Sequence, residues 1–145
     1  MCRHIGSPQR GSATTELAVV APGLLMIIAL LVMGGRITIA GGSVEHAAAE
    51  AARAASIART ASDAVAAGTA AAQRSLEQQG LSCVGAPAIT INAQEFARPP
   101  GEPAAVSATV TCEVQLSDIT IPVVPGSRTI TETVQSPLDT YRMRR

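Results

Sequence analysis

The sequence predicts an α+β chain: an N-terminal transmembrane helix continuing into an alanine-rich helix, followed by a small antiparallel β-sheet. Three observations carry this. Leu17 to Met33 read LAVVAPGLLMIIALLVM without a charge. The stretch from Ser43 to Gln79 is rich in alanine and free of proline. From Cys83 onward the composition turns to Thr, Val, Ile, Pro and Gly in alternating runs.

The apolar run comes first. At about 1.5 Å per helical residue it reaches roughly 25 Å, and its uncharged flank, Gly34 and Gly35, brings it towards the ~30 Å hydrocarbon core of a bilayer. A secretory signal peptide is the rival reading, with Arg3, His4 and Arg10 as its basic region. The run exceeds the 7–15 residues of such a segment, and Arg36 directly after it is a poor flank for cleavage. Pro22 inside the run removes one helical hydrogen bond and bends the rod, a cost that neighbouring helices relieve in lipid. Arg3 and Arg10 before the helix, against Arg36 after it, favour a cytoplasmic N-terminus.

Alanine is the strongest helix former, so residues 37–80 are expected to be helical. Glu50 with Arg53 and Arg59 with Asp63 stand at helical spacings. Val44, Ala47, Ala51, Ala54, Ala58, Ala61 and Val65 would form one apolar stripe, and Gly80 is placed to cap the C-terminus. The β-branched alternation of Ala88–Ala93, Ala105–Leu116 and Arg128–Gln135 predicts strands. On the second, Val106, Ala108, Val110, Cys112, Val114 and Leu116 share a face. The breaks fall at Arg98–Pro103 and Pro122–Gly126. One Phe, one Tyr and no Trp leave a thin core.

Candidate chemistry is sparse. Formal net charge is zero, without the basic stripe that nucleic acid would require. His46 and Glu50 stand at i,i+4, but no third metal ligand is identifiable, and a solvated pair is the simpler reading. No nucleophile–base set and no phosphate-binding loop can be assembled. The expectation is therefore a protein that is not an enzyme and needs no cofactor or metal.

The entry to the apolar run is distinctive: Arg10-Gly11-Ser12-Ala13-Thr14-Thr15-Glu16. On spacing alone Glu16 reads as a solvated carboxylate at headgroup level. The stretch from Gly11 to Pro22, followed by a Leu/Ile/Met run, resembles the start of TadE-like proteins, the minor pseudopilins of tight-adherence (Flp-type) pilus systems. Glu45 to Ser56, Pro125 to Thr129 and Ser136-Pro137 resemble later parts of such proteins. The resemblance implies a basic leader over residues 1–11, cut by a prepilin peptidase between Gly11 and Ser12, with the membrane helix over 12–36. It implies that Glu16 serves subunit assembly and that the partners are membrane lipid, the peptidase, and other pilins or pilus assembly proteins. Ser12 would head the mature chain where major pilins carry a bulky residue, which points to a minor or accessory role. The alanine-rich segment would span 37–80 and the extracytoplasmic β-rich segment 81–145.

Loss of the leader removes Cys2 and leaves Cys83 and Cys112, for which an oxidising exterior favours a disulfide. Alternatives to the pilus reading are a single-span surface protein or binding module outside any filament, and a secreted protein whose apolar run is a signal peptide.

Overall fold

The computed structural model describes residues 12–115 and 126–141, with side chains from Glu16 onward. The elements are helix α1 (Ser12–Ile57), helix α2 (Ala61–Gln78), strand β1 (Ala88–Asn92), a short 3₁₀ turn (Gln94–Ala97), strand β2 (Ala105–Gln115) and strand β3 (Ser127–Pro137). The α+β class and all three strands are as expected, with β3 longer than its sequence signal. Two compact units, Met1–Gly35 and Arg36–Arg145, divide the chain within α1.

In the second unit the sheet has the order β1-β2-β3 and is antiparallel throughout. Its alternation sends Val106, Ala108, Val110 and Cys112 inward, all at most 1% exposed. Ile89, Ile91, Ile130 and Val134 flank them, half buried. Against this face lie small and apolar side chains of the two helices: Val44, Ala47, Ala48, Ala51 and Ala52 from α1, Ala72 and Leu76 from α2. A second cluster gathers Ala55, Ala64, Phe96, Ala104, Val106 and Leu138. Among the described residues the largest fully buried side chains are those of Val44, Val106, Val110 and Cys112, in keeping with a thin core.

The alanine-rich helix is not continuous. It stops at Ile57, and Thr60 starts α2 as an extended N-cap whose Oγ1 accepts the backbone N–H of Asp63 at 3.0 Å. Such a cap contributes about 1 kcal/mol. This break corrects the single stripe expected through Ala54, Ala58, Ala61 and Val65. Ala61 and Val65 are exposed, and α2 instead buries Ala64, Gly68, Ala71, Ala72, Ser75 and Leu76. Arg59 lies in the connection, so its helical pairing with Asp63 is lost.

At the other end, Gly80 takes a left-handed φ of +65°. The N–H of Leu81 donates to Leu76 O and that of Gly80 to Glu77 O. This is the paired closure a glycine after a helix permits, as the sequence indicated.

Small residues fix how closely these elements approach. A Cβ on Gly68 would lie 2.9 Å from Ile91 Cδ1 and 3.1 Å from Ala51 O. Alanine in place of this glycine gains about 1 kcal/mol of helix propensity. Overpacking against a backbone carbonyl costs about 1–3 kcal/mol. Gly68→Ala is therefore expected to lower the melting temperature by several degrees, read by circular dichroism on the detergent-solubilised chain. A rise would show that propensity outweighs the close approach.

The turn between β1 and β2 is held by charge and backbone together. Glu95 accepts the Ala105 N–H at 2.6 Å and pairs with Arg98 at 3.1 Å, while Arg98 reaches Pro103 O at 2.9 Å.

Candidate functional site

The residues the sequence singles out do not converge on one cavity. Ser12 is the first residue of α1; Gly11, the other half of the expected processing site, lies outside the described residues, as does Cys2. Glu16 is exposed near the start of the helix. Pro22 sits inside it, and its missing N–H leaves the Ala18 carbonyl without the usual partner one turn on.

The apolar side chains beyond Glu16 are exposed all round. Leu17 is 68%, Leu25 67% and Leu31 71% exposed. No core within residues 16–35 covers them, and none of the most apolar stretch is buried. In water this exposure is unfavourable, whereas in hydrocarbon each Leu, Ile or Val contributes about −0.3 to −0.6 kcal/mol. Summed from Leu17 to Val32 this is several kcal/mol, enough to offset Glu16 at the membrane edge, where an acid costs less than its roughly 2.5–3.5 kcal/mol at the centre.

Cys83 and Cys112 form a disulfide with a Cα–Cα distance of 5.3 Å. Cys112 comes from the buried face of β2, and Cys83 reaches it from a β-bridge with Val114 just after α2. The bond ties the end of the helical layer to the central strand.

His46 sits in a polar cluster between the two helices. Its Nδ1 lies 3.2 Å from Ser75 Oγ, and Gln79 Nε2 donates to Ser75 Oγ at 3.0 Å and to Ser43 O at 3.3 Å. Ser75 is a buried polar residue, and its hydroxyl is satisfied here; the bond from Gln79 to the Ser43 carbonyl helps clamp α2 to the second half of α1. No sequence pattern signals the clamp, because its members are some 30 positions apart. Among the described residues no group of three or more His, Cys, Asp or Glu is placed to hold a metal ion.

These features define an α+β chain in which, among the described residues, one helix near the N-terminus is long and apolar enough to cross a membrane. Residues 11–53 match the family model of TadE-like proteins, the stretch in which the Gly11-to-Pro22 motif carried the resemblance. The match opens on the expected processing residue and ends within the alanine-rich part of α1; the sheet lies outside it. No curated protein and no solved structure matches the chain.

Proposed function

We propose that the chain is a membrane-anchored, pseudopilin-like structural component of a tight-adherence pilus or a related secretion machine. Residues 12–36 span the cell membrane, the N-terminus is cytoplasmic, and the disulfide-bonded unit is extracytoplasmic at the cell surface. The observation that carries this reading is that the TadE-like match begins at Gly11 and runs through a helix long and apolar enough to cross a membrane, whose apolar stretch has no core of its own within residues 16–35. A prepilin peptidase cuts between Gly11 and Ser12, and other pilins or pilus assembly proteins receive the product. The role is structural, without catalysis, cofactor or metal.

Cleavage would leave a cationic amine on Ser12, and Glu16 of a neighbouring subunit would neutralise it within the membrane. A paired charge is tolerated there far better than a lone one. Glu16→Ala is accordingly expected to leave membrane insertion intact and to reduce co-purification with pilus proteins; unchanged assembly would reject this role. N-terminal sequencing of membrane-purified protein tests the whole reading. A start at Ser12 supports it, an intact Met1 supports a simple anchor, and a start near Gly41 supports secretion.

A further inference from the structure

The third strand is an edge. β3 runs eleven residues and is paired along its length with β2, which leaves its other side open among the described residues. Long edges template pairing with other chains, and proteins blunt them with charge, proline or a bulge. Here the strand carries two charges, Arg128 and Glu132, both on the helix-covered face. Arg128 stands opposite Val114 and Glu132 opposite Val110. Glu132 is half buried between Ile130 and Val134, and among the described residues neither Glu132 nor Arg128 makes an ion pair. A lone carboxylate on the apolar side of an edge repels most strands that approach it.

One strand suits it: a second copy of itself. We propose that β3 pairs antiparallel with β3 of a second chain about a two-fold axis at Ile130. In that register Ile130 meets Ile130, and Arg128 faces Glu132 twice, once on each side of the axis. On the open face Thr129 meets Thr131 and Ser127 meets Thr133. Other registers fail for stated reasons. An axis at Glu132 sets two carboxylates opposite each other, and an axis at Arg128 sets two guanidinium groups opposite each other. An axis at Thr129, Thr131, Thr133 or Val134 leaves Glu132 without Arg128 opposite. A slip of one residue would set the apolar face of one copy beside the hydroxyl face of the other.

The two faces are well matched to this continuation. Thr109 with Thr133 (2.9 Å) and Thr111 with Thr131 (3.0 Å) already bond across β2 and β3, and Thr129 facing Thr131 extends the same row into the second copy. On the other face Ile130, Glu132 and Val134 are only partly covered, and the partner's strand would complete their burial. The product is a six-stranded antiparallel sheet with helices on one side. This inference does not depend on the pilus assignment.

Charge exchange tests it on the full-length chain in detergent micelles, with the dimer read by sedimentation. Opposite-charge pairs across strands stabilise and like charges directly opposite destabilise. Arg128→Glu alone or Glu132→Arg alone is therefore expected to weaken the dimer about tenfold or more, two sites being inverted at once. The double variant restores the complementarity and is expected to recover wild-type dimerisation within about threefold, the coupling being a property of the pair. Cys2→Ser/Ile130→Cys, with Cys83–Cys112 intact, should cross-link to itself under mild oxidation, because directly opposed Cβ atoms lie about 4.5–5.5 Å apart. Retention of the Cys83–Cys112 link, by non-reducing mass spectrometry, confirms that each variant folds. A monomeric wild type, single variants that dimerise as well as wild type, or a double variant that does not recover would each overturn the proposal. So would a dimer held by the apolar helix alone, which the charge variants would leave unchanged.

Discussion

Removing the disulfide with Cys83→Ala/Cys112→Ala is expected to cost about 3.5 kcal/mol, since the link closes a separation of 29 residues. Against a domain stability of roughly 5–15 kcal/mol, that is a large share, and here it falls on a thin core. Thermal unfolding of the solubilised chain, with and without reductant, reads the effect. The double variant should melt many degrees below the oxidised wild type and match the reduced one. Cys112→Ser should fall further, because a hydroxyl at a position 1% exposed carries about 1–3 kcal/mol of desolvation if unpartnered. A double variant that melts within a degree of wild type would mean that the helical layer holds the sheet by itself.

The second large effect is at the membrane. Leu25 lies near the middle of the apolar stretch and is 67% exposed. Arginine there replaces a favourable contribution of about −0.5 kcal/mol with a penalty of about +2.5–3.5 kcal/mol, a swing of roughly 3–4 kcal/mol. Leu25→Arg is expected to shift a large fraction of the protein into the alkaline-carbonate-extractable pool. Val65→Arg changes an equally apolar exposed residue on α2 and should leave extraction unchanged. If both variants stay in the membrane, the helix is not what holds the protein there.

The sheet was legible in the sequence because β-branched residues alternate within it and prolines punctuate it. The Val106-to-Cys112 face followed from that alternation, and the Cys83–Cys112 link from the cysteine count left once the leader is removed. Where alanine dominates, the pattern loses its meaning. Between Ser43 and Gln79 almost any spacing of three or four lands on an apolar residue, so a stripe through Ala54, Ala58 and Ala61 looks as good as the two real ones. The break did leave a trace in Thr60-Ala-Ser-Asp63, a polar N-cap followed three residues later by an acid. An apparent ion-pair spacing from Arg59 to Asp63 obscured it. The long apolar helix was legible from apolarity alone, whereas the roles expected of Gly11 and Glu16 came from resemblance, and residues 11–53 carry that resemblance in the family match. The His46–Ser75–Gln79 clamp could not be foreseen, because it depends on how two helices lie together.

The alanines buried between α1, α2 and the sheet reverse the usual logic of core mutagenesis. Ala47, Ala48, Ala51, Ala52 and Ala72 are fully buried, and truncation has nothing left to remove from them. An alanine scan would pass over this interface in silence. Its tolerance is set by the closest distance between backbones, and it would be mapped by enlarging side chains: valine at these positions should report which pairs of elements set the spacing.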